Sequence, residues 1–129
     1  MIAPLGPDDV ADAVALWTDA GLTRPWNDAA GDFLRAVAGP ASAVLGIRAD
    51  GALVGSAMVG HDGHRGWVYY LAVAASARGR GLGRDLMAAA EAWLVANGWE
   101  ATAPPWEAYL DGPEVASPRT NVYLPCRPC

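Results

Sequence analysis

Apolar side chains recur in the N-terminal third of the chain at the spacing of an amphipathic helix. One proline and two acids stand at residues 6–9, where a helix N-terminus favours both. Apolar residues follow at positions i, i+3, i+4 and i+7, namely Val10, Ala13, Val14 and Trp17. This spacing places them on one face of a helix that ends at Gly21. A second, shorter helix is predicted after the polar connector 23–28, where Asn27 or Asp28 can cap its N-terminus.

Short apolar runs separated by turn signals predict strands. Residues 2–5 form the first, and residues 43–49 and 52–60 form a hairpin whose two-residue turn is Asp50 and Gly51, a pair that favours such turns. Residues 67–73 are apolar at both alternating sets of positions, as expected of a strand that is buried on both faces. The last three strands therefore form a meander.

A long helix is predicted over residues 82–97, and Gly98 is its stop signal. Its stripe, which is mostly apolar, consists of Leu86, Ala90, Trp93, Leu94 and Asn97. The character then changes, because residues 101–129 contain six prolines and proline interrupts a strand ladder. We expect loop or disorder there, with one short strand at 121–124. The chain thus divides into a domain of residues 1–98 and a Pro-rich tail of residues 99–129.

The composition restricts the classes of function. A chain of 129 residues, 53% of them hydrophobic, fits one domain with a real core. Its net charge of −5 argues against a nucleic-acid partner, because such proteins neutralise phosphates with positive charge. No apolar run is long enough for a membrane span, and the N-terminus lacks the basic and apolar regions of a signal peptide. We therefore expect a cytoplasmic protein without a membrane partner.

Two cysteines lie near the C-terminus. Cys126 and Cys129 have the spacing of metal ligands, and His61 and His64 could in principle complete the four that a structural zinc site needs. A tail with two free thiols is the interpretation we favour, because the pair lies too far from the predicted core to cross-link it with a disulfide. No metal is therefore expected.

The most informative stretch joins the strand 67–73 to the long helix. It is rich in glycine and arginine, and its members are Arg78, Gly79, Arg80, Gly81, Leu82, Gly83 and Arg84. Gly81 and Gly83 lack a Cβ, so the backbone there can adopt a positive φ and approach an anion closely. Free N–H groups at a helix N-terminus bind anions. The spacing matches neither the Rossmann fingerprint nor a P-loop, which leaves a phosphate-binding loop or a plain Gly-rich connection with exposed arginines.

Residues 78–83 match in full the acetyl-CoA loop of the GNAT superfamily of N-acetyltransferases, Arg/Gln-x-x-Gly-x-Gly/Ala, and the chain resembles this family. The resemblance implies an α/β, three-layer fold with a mixed, mostly antiparallel central sheet flanked by helices. It also implies acetyl-CoA as the acyl donor, bound by the loop and by Leu71 and Val73, which match the strand that holds the pantetheine arm. Residues 24–28 and 62–66 are similar to those of small bacterial YpeA-like acetyltransferases.

The acid and base of such a reaction are less well marked. An amine must lose a proton before it attacks a thioester, and the family often carries a glutamate on the fourth strand for this purpose. Residues 67–70 offer no carboxylate. Asp62 and His64 are the candidates for the proton relay, with Asp28 as a third. Ordinary turn chemistry at Asp62 and a solvated His64 are the alternatives.

The acceptor pocket is expected beside these residues. In this hypothesis Trp26 and Tyr70 wall the pocket, while Asn27 and Asp28 orient the amine. Packing of Trp26 onto the core is the alternative. The sequence leaves open whether the amine belongs to a small molecule, an amino acid or a protein N-terminus.

The resemblance covers residues 1–98 and then stops, so the fold is expected to be incomplete or divergent at its C-terminus. A complete family member has a fifth strand beside the fourth, and a later tyrosine that protonates the departing thiolate. Tyr109 and Tyr123 do not stand in a matching context. Three explanations are open. The tail could supply a divergent fifth strand, or a partner chain could supply it, for example the second chain of a homodimer. Alternatively, the C-terminal reading frame is altered and the domain is truncated. The composition of the tail favours the last.

Two other functions follow from this departure. One is a binding module that keeps the acyl-CoA site without turnover. The other is a truncated fragment that preserves only the pattern of the fold.

Overall fold

An antiparallel sheet with helices on both faces forms the centre of the molecule. The computed structural model describes residues 1–63, 65–101, 121–122 and 126–128. Its strands are β1 (Ile2–Pro4), β2 (Ser42–Ala49), β3 (Ala52–His61), β4 (Gly66–Val73), β5 (Trp99–Ala101), β6 (Asn121–Val122) and β7 (Cys126–Pro128). The central sheet has the order β1-β2-β3-β4-β6, and β5 pairs with β7 in a separate sheet. All of these pairings are antiparallel.

Helices cover both faces of the sheet. They are α1 (Val10–Asp19), α2 (Ala29–Ala38) and α3 (Leu82–Ala96), and short 3₁₀ turns at Pro7–Asp9 and Ala75–Ala77 precede α1 and the loop before α3. Helices α1 and α2 pack on one face and α3 packs on the other, so the predicted three-layer class is confirmed. In the described part of the chain, no helix has the length and apolar character of a membrane span.

The two cores follow from the alternation of side chains along the strands. In β2 and β3, Leu45 and Val59 face α3, while Val44 and Met58 face α1 and α2. The layer under α1 and α2 contains the largest fully buried side chains, including Trp17. Burial of one such side chain stabilises the fold by about 1.5–3 kcal/mol. This gain determines which side chains of each strand face α1 and α2 and which face α3.

The predicted elements are largely confirmed. Asp50 and Gly51 have φ of 52° and 83°, as the two central residues of a type I′ hairpin turn require. Asp28 is the N-cap of α2 and accepts a hydrogen bond from the Gly31 N–H at 3.0 Å. On α3 the stripe is buried at three of its apolar members, but its last member, Asn97, is exposed and ends the helix.

The expectation of a tail with one short strand is wrong in two places. Strand β6 lies within the range predicted for it, whereas β5 and β7 were not predicted. Trp99, at the start of β5, is buried and packs in the layer of α3. Proline did not prevent β7, because a short edge strand can accommodate a residue that donates no hydrogen bond.

Candidate active site

Strand β4 contains a bulge that shapes the site. Tyr69 lies opposite Met58 and Ala72 lies opposite Ser56, so Tyr70 and Leu71 together face the single residue between those two on β3. Tyr70 has φ of 52°, in the left-handed region that a tyrosine rarely adopts. One extra residue of this kind is a β-bulge, and it shifts the alternation of side chains in the rest of the strand.

The bulge brings three aromatic residues to the same face of the sheet. Trp67 and Tyr69 lie on the α1/α2 face as alternation requires, and the bulge places Tyr70 on that face as well. Leu71 consequently points into the layer of α3. The sequence carried no signal for this, because two adjacent tyrosines fit a regular strand equally well on opposite faces.

A cavity of about 410 Å³ opens on this face, and we name it the aromatic cavity. Three aromatic residues of β4 form one wall. The complete lining is Leu22, Asn27, Asp32, Arg35, Ala36, Ser42, Met58, Trp67, Tyr69 and Tyr70. Asn27 and Tyr70 were among the predicted acceptor residues. Trp26 and Asp28 are not in this lining, and Trp26 is 77% exposed.

Two charged residues of the cavity were missed in the sequence. Asp32 and Arg35 form an ion pair on α2, three residues apart, a spacing that is usually read as a solvated surface pair. The Tyr70 hydroxyl donates a hydrogen bond to the other carboxylate oxygen, Oδ2 of Asp32, at 2.9 Å. Burial, followed by this bond to a carboxylate, raises the pKa of Tyr70 to about 12. Tyr70 therefore remains a neutral hydrogen-bond donor at neutral pH.

A ring stack and two buried hydrogen bonds hold Tyr70 in place. Its ring stacks on Trp17 with centroids 3.9 Å apart and planes 11° apart. The Trp17 indole N–H donates to Oγ of Ser56 at 2.8 Å, and the Ser56 hydroxyl donates to the Tyr70 carbonyl at 3.3 Å. Ser56 is fully buried, so these bonds are made where water does not compete. The strained residue is thus held at its side chain and at its backbone.

The predicted proton-relay residues lie at a turn. Oδ1 of Asp62 accepts a hydrogen bond from the Arg65 N–H at 3.0 Å, and the backbone of Asp62 also donates to the Arg65 carbonyl. Asp62 is not part of the lining of the aromatic cavity. His64 lies outside the described residues. In the part of the chain that the structure describes, no three His, Cys, Asp or Glu side chains are grouped so that they could hold a metal ion.

The Gly/Arg loop, residues 78–84, runs from the 3₁₀ turn Ala75–Ala77 that follows β4 into the first turn of α3. Nε of Arg78 donates to the carbonyl of Val73 at 3.2 Å, which ties the loop to the strand. Gly79 and Gly81 have φ of 82° and 77°. The predicted positive φ is wrong for Gly83, because this residue is the second of α3 and helical backbone has negative φ.

The first turn of α3 offers unbonded N–H groups. Gly81 is its N-cap and no side chain of the described residues caps the helix, so the donors of the first turn have no acceptor within the helix. A Cβ at Gly79 or Gly81 would find no atom of the described residues within 4 Å, so this part of the molecule leaves the space beside the loop open. Arg80 and Arg84 are exposed, and neither forms an ion pair with any carboxylate of the described residues. These features fit a phosphate group.

Strand β4 connects the loop to the aromatic cavity. Tyr70 lies in the cavity, and Val73 contacts the loop through Arg78. Among the described residues, β6 pairs only with Val68 and Tyr69 of β4. The outer edge of β4 beyond the bulge therefore carries no described strand.

Comparison with known proteins gives a consistent result. The acetyltransferase (GNAT) family matches over residues 10–104. An acetyltransferase of Yersinia pestis (strain Pestoides F) is 41% identical over 91 residues, which is 70% of this chain and 64% of that protein. The chain thus spans slightly less than two thirds of the length of this curated relative.

Two solved structures share the fold. AAC(6')-Iy, in complex with the bisubstrate analogue CoA-S-monomethyl-acetylneamine, superposes with a TM-score of 0.64 at 19% identity, over 75% of this chain and 72% of that one. A ribosomal-protein-alanine N-acetyltransferase from Brucella melitensis biovar Abortus 2308 gives 0.56 at 25% identity, over 69% and 68%. With the family match covering most of the sequence, the chain belongs to the acetyltransferase (GNAT) family.

Proposed function

We propose that the protein transfers the acetyl group of acetyl-CoA to a primary amine that binds in the aromatic cavity. The observation that carries this proposal is the position of β4, which reaches the aromatic cavity at Tyr70 and the Gly/Arg loop at Val73. A donor bound along the strand would then meet an acceptor at the bulge. The complex of AAC(6')-Iy with a bisubstrate analogue that contains CoA supports a donor of this kind.

The loop is the proposed site of the pyrophosphate. The positive end of the α3 dipole and the free N–H groups of its first turn favour an anion. The left-handed glycines Gly79 and Gly81 bring the backbone to the surface without a side chain in the way. Arg78, Arg80 and Arg84 add positive charge, and Gly83 contributes a backbone N–H of the first turn of α3. Leu71 and Val73 are the proposed backbone contacts of the pantetheine arm.

The chemistry requires a neutral amine. Acetyl-CoA supplies a thioester: the amine lone pair forms the C–N bond, the C–S bond breaks with its electron pair on sulfur, and the thiolate takes up a proton. The ammonium first gives one proton to a base, and the attacking nitrogen loses a second. Asp62 and His64 are the proposed proton acceptors, and Asp28 is the third candidate. Trp26 and Tyr70 are proposed to wall the acceptor, and Asn27 and Asp28 to orient the amine; the place of Asn27 and Tyr70 in the cavity lining supports this for those two.

Two measurements on the whole chain test the proposal. Acetyl-CoA is titrated by calorimetry, and release of the coenzyme thiol is then followed with a panel of primary amines. We expect saturable binding together with amine-dependent thiol release. Binding without release would indicate an acyl-CoA-binding module, and absence of binding would contradict any function that depends on the loop.

The assignment of Asp62 and His64 has its own test. Asp62→Ala and His64→Ala are each compared with the parent protein from about pH 6 to about pH 9, a range that includes the ordinary pKa of histidine. We expect kcat/KM to fall most near neutral pH, where an ordinary histidine is unprotonated while the amine still carries its proton. Full kcat/KM in both variants at every pH would refute the assignment.

A further inference from the structure

The ion pair inside the aromatic cavity has the geometry to select an acceptor. Oδ1 of Asp32 pairs with Nη2 of Arg35, and Oδ2 accepts a hydrogen bond from the Tyr70 hydroxyl. A carboxylate has about four lone-pair sites, so Asp32 can accept further hydrogen bonds. In the described part of the chain only Nη2 of Arg35 is engaged, although a guanidinium carries about five N–H donors. Both partners can therefore bind a ligand without giving up their own contact.

Exposure of the two side chains makes this binding accessible. The Arg35 side chain is 72% exposed and that of Asp32 is 31% exposed, and both line the cavity. Asp32 is held against Tyr70, the bulge residue of β4. An ammonium that is bound by Asp32 would consequently lie beside the strand on which the donor is proposed to run.

We infer that the acceptor is a free α-amino acid, bound as a zwitterion antiparallel to the Asp32–Arg35 pair. Its ammonium would bind the Asp32 carboxylate, and its own carboxylate would bind the Arg35 guanidinium. Charge-assisted hydrogen bonds of this kind are the strong ones, and arginine suits a carboxylate because it can bind it with two parallel bonds. This inference rests on the proposed function, since it names the acceptor of the same site.

The rest of the lining favours a large apolar or aromatic side chain. The rings of Trp67 and Tyr69 stack with centroids 4.8 Å apart, and both are half-buried. Leu22 and Met58 add apolar surface. Such walls bind an aromatic side chain by burial and by offset stacking.

Amines without a carboxylate are poorer partners for the same site. A polyamine or an amino sugar would satisfy Asp32 but leave the guanidinium of Arg35 facing another cation. Like charges placed together weaken binding, and such repulsion is how sites reject the wrong partner. The predicted selectivity is therefore for the zwitterion over the decarboxylated amine of the same shape.

The test compares matched acceptors with the full chain and saturating acetyl-CoA. Phenylalanine, phenylalaninamide and phenethylamine share one side chain and differ at the carboxylate. We expect kcat/KM for phenylalanine to exceed the values for the other two by about ten-fold or more. Arg35→Gln should lower kcat/KM for phenylalanine by a similar factor and raise that for phenethylamine, because the cation that repels its ammonium is removed. Arg24→Gln is the control, because Arg24 is exposed and does not line the cavity.

The outcomes separate this inference from the proposed function. Equal or better turnover of phenethylamine, or an Arg35→Gln variant that loses both acceptors equally, would overturn the inference and leave acetyl transfer to amines intact. Binding of acetyl-CoA without acetylation of any amino acid would also overturn it. Failure to bind acetyl-CoA would overturn the proposed function, and the inference with it. Melting curves of each variant exclude misfolding, and Asp32→Asn should lower turnover of both acceptors.

Discussion

Tyr70 combines an unfavourable backbone conformation with several side-chain interactions that hold it. A non-glycine residue in the left-handed region costs of order 1–3 kcal/mol. The stack on Trp17, the hydrogen bond to Asp32 and the bond from Ser56 to its carbonyl offset this strain. Strain of this kind is kept where the surrounding structure over-determines it, which is common at functional sites. In this protein the strain is located at the wall of the aromatic cavity.

Stability should depend on pH through the Tyr70 hydroxyl. The pKa of Tyr70 is raised from its ordinary 10.0 to about 12, first by burial and then by the bond to Asp32. Because the folded value lies above the unfolded one, the contribution is fully present below the unfolded pKa and is lost as pH rises through the folded pKa. The loss is on the order of 2 kcal/mol. Urea unfolding of the parent and Tyr70→Phe between about pH 9 and about pH 12 measures it, since phenylalanine keeps the ring but does not ionise.

The difference between the two free energies of unfolding should shrink as the pH rises through this range. If the free energies of the parent and of Tyr70→Phe instead follow parallel curves throughout, ionisation of Tyr70 is not coupled to folding.

Gly60 is required by the ring of Trp67. A Cβ at this position would lie 2.2 Å from Cζ2 of Trp67, so Gly60→Ala must displace the ring that walls the cavity. Overpacking of this kind destabilises by about 1–3 kcal/mol. We also expect a higher KM for the acceptor and an unchanged Kd for acetyl-CoA. Gly6→Ala is the matched control, because a Cβ there meets nothing within 4 Å and φ is −112°.

Denaturant unfolding measures the stability, steady-state kinetics with varied acceptor gives KM, and calorimetry gives the Kd of acetyl-CoA. A Gly60→Ala variant as stable as Gly6→Ala, with an unchanged KM, would mean that Trp67 does not set the shape of the cavity.

At the scale of elements, the two ends of α3 provide a controlled comparison. Gly81 and Gly98 flank this helix with φ of 77° and 91°, and a Cβ at either position would find open space. An alanine at either position should therefore destabilise the protein by about the same amount, roughly 1–2 kcal/mol. Only Gly81→Ala moves the N–H groups of the proposed phosphate site, so it alone should weaken acetyl-CoA binding, by about ten-fold or more. Calorimetry and thermal melting measure both effects, and equal affinities in the two variants would contradict a role of the loop in donor binding.

Local patterns were sufficient to predict most of the regular elements. The apolar face of helix α1 repeats over enough residues to indicate its type, and two apolar runs around Asp50 and Gly51 indicated the hairpin of β2 and β3. The bulge in β4 was not predicted, because a single extra residue leaves the strand pattern nearly unchanged. Strand β5 was missed for a different reason: three residues are too few for a period, and burial of Trp99 is a tertiary effect.

The candidate site divides in the same way. Arg78 and Gly81 belong to a local motif in which the chemistry and the spacing are contiguous, so the loop could be read directly. Asp32 and Arg35 have no local signature that separates them from a solvated helix pair. Only the tertiary contact of Asp32 with Tyr70, 38 positions away, makes them part of a cavity. The fold and the proposed donor loop were therefore accessible from the sequence, whereas the charged part of the acceptor cavity was not.

At the scale of the whole molecule, one sheet separates two different surfaces. The aromatic cavity lies on the face of α1 and α2, while the loop begins α3, which packs on the opposite face. Strand β4 contributes to both layers by the alternation of its side chains, and the bulge adds Tyr70 to the face of α1 and α2. The sheet thus provides the rigid support on which an acceptor and a donor could meet.

The overall charge of the protein opposes its proposed donor. Net charge is −5, and an anion such as acetyl-CoA is repelled at long range, although salt screens this repulsion beyond about 8 Å at physiological ionic strength. The exposed arginines of the loop must therefore attract acetyl-CoA through their local position and not through the net charge of the protein. Arg80→Ala and Arg24→Ala change the net charge equally, which separates the two effects. We expect Arg80→Ala to weaken acetyl-CoA binding by about ten-fold and Arg24→Ala by less than about two-fold.

The measurement is calorimetry of both variants at low and at physiological salt. If local contacts dominate, the gap between the variants should persist at the higher salt, because close charge-assisted bonds are screened less than distant charges. Equal losses in the two variants that vanish with added salt would instead assign donor affinity to the general field of the protein. That result would remove the loop from the proposed site and leave only the aromatic cavity as its acceptor half.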